Sequence, residues 1–219
     1  MPDRLHHESL YRGPQVLAKL ASLPLAICGA GAVGSNLADN LVRHGAAKLR
    51  VIDHDRVEPH NISTQIYGEA DVGVWKVEAL RNALFRACGV EIESVRKTLD
   101  ARNARTILKE TGLIIDAFDN TASRQCVQDH ARAAGTPCLH VGLFEDYCEV
   151  IWDEEYRVPR QVIATTDVCE YPLARNLVLL ATTIASEVIL QWLADSTRRS
   201  LSATLRDWVV QPVEKPAGA

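Results

Sequence analysis

Leu25-Ala26-Ile27-Cys28-Gly29-Ala30-Gly31-Ala32-Val33-Gly34 is the stretch that decides the fold. Its four leading apolar residues read as a short buried strand, and the glycines that follow, spaced G-x-G-x-x-G, read as a tight turn. From Ala32 to His44, Val33, Leu37, Leu41 and Val42 recur at helical spacing until Gly45 stops the run. Leu49-Arg50-Val51-Ile52-Asp53 is a second strand. Strand, glycine turn, helix and strand in that order predict a Rossmann-like, doubly wound α/β fold with a mostly parallel sheet. The glycines let a phosphate approach the backbone, and the helix start offers free N–H groups and partial positive charge. Asp53 lies 22 residues after Gly31, where a carboxylate can accept hydrogen bonds from ribose hydroxyls. The turn alone fits NAD, FAD and ATP equally, and it also fits a tight turn with no ligand.

Working outward, an amphipathic helical segment over residues 1–22, strongest at 9–21, opens the chain with an interruption at Gly13-Pro14. Residues 54–72 are polar and irregular, and 73–88 read as a helix. A strand at 91–96, a helix at 101–109, a buried strand at 113–116 and a helix at 122–134 continue the alternation. Residues 137–141 form another strand, with Tyr147–Trp152 antiparallel to it as the C-terminal edge begins. Residues 153–171 read as a loop, 172–193 as a long apolar helix, 204–210 as a short strand and 211–219 as a flexible tail. With no internal repeat, the whole of 1–219 reads as one domain.

Composition sets outer bounds. Of 219 residues, 24 are Lys or Arg and 28 Asp or Glu, a formal net charge of -4, with 47% hydrophobic and 24% charged residues. That balance excludes a disordered or fibrous chain and argues against a general nucleic-acid binder. No apolar run approaches the ~20 residues of a bilayer span, and MPDRLHHESLYRG lacks the apolar core of a secretory signal. The expectation is a soluble, cytoplasmic protein with no membrane partner. The six cysteines (28, 88, 126, 138, 148 and 169) show no C-x-x-C spacing, so no structural zinc is expected and they read as reduced thiols.

Three further segments narrow the reading: Asp53-His-Asp55-Arg-Val57-Glu58-Pro-His-Asn61-Ile-Ser-Thr-Gln65, then Gly73-Val-Trp-Lys76, then Asp116-Ala-Phe-Asp119-Asn120-Thr-Ala-Ser-Arg124. In this order, after the glycine turn, the chain resembles the ThiF/MoeB family, bacterial relatives of the ubiquitin-activating enzymes, from about residue 8 to 210. Cys169-Glu-Tyr-Pro172-Leu-Ala-Arg-Asn176 before a long apolar helix looks like that family's crossover loop, 153–171. The resemblance implies an ATP-dependent adenylyltransferase that activates the C-terminal carboxylate of a small ubiquitin-like or sulfur-carrier protein, with Mg2+ and release of pyrophosphate. It also implies a homodimer, with the apolar late helix as a candidate interface.

The residue types suit that chemistry, in which charge builds on the phosphates as the carboxylate attacks. Gly29, Gly31 and Gly34 would cradle phosphate and Asp53 would hold ribose. Asp55, Asn61, Gln65 and Asn120 would line the nucleotide. Lys76 would neutralise phosphate charge; its plain alternative is a surface lysine. Asp119 would hold Mg2+ and organise the transition state, with a helix N-cap as its alternative. Cys169, ahead of a proline that suits a helix start, is the candidate thiol for a second step, against an incidental loop cysteine. Cys148 is a weaker candidate. His54, His60 and the run Asp153-Glu-Glu155 read as solvated, His140 as a satisfied core histidine, and Trp152, Trp192 and Trp208 as core or interface aromatics.

Two departures stand out. Many relatives carry paired C-x-x-C motifs that this chain lacks. Thr64 stands where the pattern has an arginine, expected to contact the phosphates, and threonine cannot supply its charge. Arg56, Arg124, or Arg4 or Arg12 from a dimer partner are the candidate substitutes. The rivals are a non-catalytic scaffold that binds the carrier but not ATP, and an NAD-dependent oxidoreductase. A small-molecule or peptide carboxylate, or a modified tRNA base, stands as an alternative acceptor.

Overall fold

The glycine turn sits at the middle of an eight-stranded sheet with the order β3-β2-β1-β4-β5-β6-β7-β8. A computed structural model describes residues 4–159 and 172–213. In chain order its elements are α1 (His6–Arg12), α2 (Pro14–Ser22), β1 (Leu25–Cys28), α3 (Ala32–Arg43), β2 (Leu49–Ile52), α4 (Lys76–Cys88) and β3 (Glu93–Val95). Then come α5 (Ala104–Ile107), β4 (Leu113–Asp116), α6 (Thr121–Ala134), β5 (Cys138–Phe144), β6 (Tyr147–Trp152), α7 (Arg175–Asp195), β7 (Leu201–Thr204) and β8 (Val210–Pro212). β1 to β5 pair in parallel, and β5, β6, β7 and β8 form the antiparallel edge.

Alternation along β1 divides the core. Leu25 and Ile27 join the larger cluster with Leu37, Leu41 and the buried face of α7, while Ala26 and Cys28 join the smaller one beneath α5 and α6. A fully buried Leu contributes about 1.5–3 kcal/mol relative to an exposed one, so both faces of the sheet hold the turn that leaves β1. α7 has the length and hydropathy of a membrane span, although the sequence had suggested no such run. It packs instead on α3, β5 and β6, with Leu177, Val178, Ala181, Ala185, Val188 and Ile189 buried. Most of its apolar surface is therefore used within the chain, leaving Leu179 exposed rather than a broad apolar interface.

Several boundaries differ from the sequence expectation, each for a local reason. The opening segment does break at Gly13-Pro14 as expected, because Gly13 takes φ +82° and Pro14 starts α2. The helix expected from 73 starts only at Lys76, since the backbone of 73–76 bonds back to that of 55–57. The helix expected over 101–109 shrinks to α5, because Asp100 and Asn103 side chains take up the backbone N–H groups around them. The strand expected over 204–210 is instead the turn of a hairpin, where the Thr204 hydroxyl accepts from the Asp207 N–H. Residues 211 and 212 belong to β8 rather than to a loose tail. Trp208 is exposed and outside the core, while Trp152 and Trp192 pair inside it at 5.4 Å.

The run Asp153–Glu155 is not simply solvated. The Asp153 carboxylate meets His140, takes hydrogen bonds from Gln128 and Arg132, and is mostly covered. Burial pushes its pKa up, but hydrogen bonds from His140, Arg132 and Gln128 outweigh it and hold the group at about 2, below its ordinary 3.8. A depressed carboxylate contributes stability that is complete above its ordinary value and lost as pH falls through the lower one. Urea unfolding between about pH 5 and pH 2 should show that loss, and Asp153→Asn should flatten the same acid limb. An unchanged limb in the variant would remove Asp153 as its source.

Candidate functional site

Strand order reverses between β1 and β4, which opens a crevice beyond their carboxyl ends. Gly29 enters it with φ +105°, and a Cβ there would lie 2.9 Å from the Ala117 carbonyl at the end of β4. At Gly34 a Cβ would lie 1.8 Å from the Gly29 carbonyl, so the first turn of α3 packs directly on the loop. Gly31 differs. Its φ is an ordinary -76°, and among the described residues nothing lies within 4 Å of a Cβ built on it. The protein's own packing gives no reason for glycine there; close approach of a ligand does.

Gly31 is also the N-cap of α3, a helix with no side-chain cap and no acidic residue in its first turn. Its leading N–H groups and positive end are thus left for an anion. The loop is held on both sides of Ala30, whose N–H donates to Asp53 Oδ2 and whose carbonyl accepts from Tyr67 Oη, both at 2.7 Å. Asp53 Oδ1 accepts the Asp55 N–H, also at 2.7 Å. Asp53 is therefore buried and braces the turn, with further lone pairs left for a ligand. Burial, with Asp53 nearby, pushes the Tyr67 phenol well above its usual value, so it stays a donor. Tyr67 escaped the sequence reading; its signal was a lone aromatic in a polar stretch.

Lys76 is buried, and its Nζ meets Asp55 Oδ2 at 3.0 Å. The backbone return of 73–76 on 55–57 brings the two together, which settles against a free surface lysine. Asn61 is buried with Oδ1 accepting the Glu58 N–H. Gln65 Oε1 and Ser35 Oγ are buried with no hydrogen-bond partner among the described residues, the kind of polar atom that a ligand or water satisfies. Asp53, His54 and Asp55 bring ligand atoms within 4.8 Å of one another, but the two carboxylates already hold the turn and Lys76.

Asp119 lies just past β4, exposed at the crevice. Asn120, not Asp119, caps α6, its Oδ1 accepting the Ser123 N–H at 2.9 Å. The Asp119 carboxylate has only a long 3.5 Å contact with Asn120 Nδ2 and remains available for a cation. Cys169 lies outside the described residues. Cys148 is buried, which pushes its thiol up to about 11 and argues against a thiolate.

None of the arginines proposed to replace the missing charge at Thr64 points to it within the chain. Arg56 donates to the Gly73 carbonyl and stacks on Trp75. Arg124 reaches Asp116, Tyr156 and the Val141 carbonyl. Arg12 is paired with Glu8 and Glu187, and Arg4 donates to the Cys88 carbonyl. Arg175, at the start of α7, instead approaches the Ser63 and Gln65 carbonyls that flank Thr64, at 3.5 Å each. It was missed because 110 residues separate it from Gln65; the only signal was a basic residue opening an apolar helix.

A model of the ThiF family matches residues 7–165. The SAMP-activating enzyme E1 of Haloferax volcanii is 29% identical over 136 residues, covering 61% of this chain and 50% of that protein. The sulfur carrier protein adenylyltransferase of Thermus thermophilus is 30% identical over 147 residues, covering 65% and 54%. The chain thus spans about half the length of these relatives. Among solved structures, E. coli MccB with MccA-N7isoASN superposes with a TM-score of 0.84 over 97% of this chain and 72% of that one, at 14% identity. At that identity the likeness establishes the fold.

Proposed function

The chain belongs to the ThiF family, and from that premise we propose that it is an ATP-dependent adenylyltransferase. Its substrate would be the C-terminal carboxylate of a small ubiquitin-like or sulfur-carrier protein, converted to an acyl-adenylate with release of pyrophosphate. The observation that carries the reading is Gly31: an open cradle at an uncapped helix start, for which the chain's own packing gives no reason. The relatives' names, a SAMP-activating enzyme and a sulfur carrier protein adenylyltransferase, support a carrier protein as acceptor.

In this reading α3 binds phosphate through its leading N–H groups, with Gly29 and Gly34 fixing the loop and Asp53 accepting ribose hydroxyls. Lys76 leaves Asp55 for the phosphates, and Arg175 supplies charge on the Thr64 side. Asp55, Asn61, Gln65 and Asn120 line the remainder. Mg2+, when bound with the nucleotide, neutralises phosphate charge, and the exposed Asp119 carboxylate is the residue that fits it. The acceptor carboxylate attacks the α-phosphate while these groups hold the charge that develops on the oxygens. In a second step the Cys169 thiolate attacks the carbonyl carbon of the acyl-adenylate, forming a thioester as AMP leaves, and the chain acts as a cytoplasmic homodimer. A scaffold that binds the carrier without ATP is the second reading, favoured by threonine at position 64.

Calorimetric titration with ATP and Mg2+, run in parallel with NAD, tests the reading. Saturable ATP binding is expected, weakened on the order of 10- to 100-fold in Lys76→Ala and in Arg175→Ala, the range for losing a charge-assisted hydrogen bond. No ATP binding by the wild type would leave the scaffold, and NAD binding instead would overturn the adenylation chemistry.

A further inference from the structure

Behind the Asp119 turn lies a buried cluster that the adenylation chemistry does not itself use. Asp116, the last residue of β4, and His140 on β5 are both essentially inaccessible, with His140 Nδ1 2.9 Å from Asp116 Oδ2. The other ring nitrogen, Nε2, lies 3.2 Å from Asp153 Oδ1 at the start of the 153–159 segment. Tyr156 of the same segment stacks on the imidazole at 3.8 Å between centroids and 12° between planes. Both ring nitrogens therefore lie within hydrogen-bond distance of a carboxylate, one on β4 and one just past β6. The remaining charged and titratable neighbours are Arg124 and Arg132 from α6, Glu149 from β6, and the Cys28 and Cys138 thiols. The two arginines oppose the two aspartates, so the ring proton is held among compensated charges.

The cluster joins two parts of the site. Asp116 Oδ1 accepts the Phe118 N–H at 3.2 Å, which shapes the turn that presents Asp119. Asp153 and Tyr156 lie on the 153–159 stretch that follows β6, and the Thr121 hydroxyl donates to the Pro159 carbonyl at its far end. Imidazole is a rigid ring with a nitrogen facing each carboxylate, so it fixes their separation in a way that a flexible side chain could not.

We infer that His140 is a positioning residue: as a bridge between Asp116 and Asp153 it sets the Asp119 turn against the 153–159 stretch. The kinetic part of this inference rests on the adenylation reading; the structural coupling does not. In catalysis the bridge keeps the nucleotide side and the acceptor side in register, so its loss should act on the chemical step rather than on nucleotide affinity.

His140→Ala leaves a hole in the core, so Asp153→Asn, which keeps the side-chain volume at the edge of the cluster, carries the test. Arg132→Gln is its control, since it removes another Asp153 partner and leaves the bridge intact. Hydrogen–deuterium exchange should rise together in residues 153–159 and 116–121 of Asp153→Asn, but not in 116–121 of Arg132→Gln. If 116–121 is unchanged in Asp153→Asn, or rises equally in both variants, the bridge is not the coupling and the inference falls. In pyrophosphate–ATP exchange, Asp153→Asn should lower kcat on the order of 10²-fold with the KM for ATP nearly unchanged. A rise in KM alone would reject the positioning role, whereas absence of pyrophosphate–ATP exchange in the wild type would reject the adenylation reading and leave hydrogen–deuterium exchange to decide the bridge.

Discussion

Asp119→Ala will lower pyrophosphate–ATP exchange on the order of 10²- to 10³-fold, the range for removing a group that stabilises developing charge, and will leave the fold intact. Two features set this expectation apart from an ordinary surface substitution. The carboxylate stands exposed at the end of β4, where the crevice opens, with one long contact to Asn120. The capping of α6 falls to Asn120, which bonds the Ser123 N–H, so removing Asp119 orphans no backbone donor. The stability change should stay within about 0.5 kcal/mol. Thermal unfolding of the variant gives the second half of the comparison. An AMP adduct formed at the wild-type rate would dismiss Asp119 from the chemistry, whereas a collapsed Tm would mean that the carboxylate serves the fold after all.

The two glycines at the start of α3 should respond oppositely to alanine. At Gly34 a methyl group would lie 1.8 Å from the Gly29 carbonyl, and backbone cannot yield as a flexible side chain does. Gly34→Ala should cost about 3 kcal/mol or more, a fall in Tm on the order of 10 °C for a chain of this size. At Gly31 the methyl meets nothing among the described residues, and exchanging an N-cap glycine for alanine costs only modestly. Gly31→Ala should therefore fold with nearly wild-type stability, yet bind ATP about 10- to 100-fold more weakly, the effect of about 1–3 kcal/mol of overpacking. Denaturation beside ATP titration separates the two. If Gly31→Ala binds ATP as tightly as wild type, the cradle is not where phosphate sits.

The first strand–turn–helix–strand unit was legible because each piece carries its own period. Leu25–Cys28 is a continuous apolar run, Val33, Leu37 and Leu41 follow the helix, and the glycines mark the turn. The buried strands at 113–116 and 147–152 were bounded correctly for the same reason. Where side chains compete for backbone bonds the reading failed: Asp100 and Asn103 shortened a helix, and Thr204 with Asp207 turned an expected strand into a hairpin. The site divided along a different line. Lys76 and Asp53 could be named from spacing, but their partners Asp55 and Ala30 follow from the chain's return path. Tyr67, Arg175 and the His140 bridge depend on contacts across 13 to 112 residues, and no local pattern encodes such contacts.

The attachment of α1 has a consequence for how the molecule comes apart. No residue of this seven-residue helix is buried, and Leu10 and Tyr11 stand exposed. What ties it to the rest of the domain is polar, the Arg12–Glu187 ion pair to α7 and the contact of Glu8 with the His44 ring, while Glu8 and Arg12 also pair within the helix. A helix this short has little stability of its own, and opening it gives up ion pairs but almost no apolar burial. Release of α1 is thus a local event, far cheaper than loss of the sheet. Proteases should first cut near the Gly13 hinge, at a rate that rises with ionic strength as the pairs are screened, while the domain behind it stays folded.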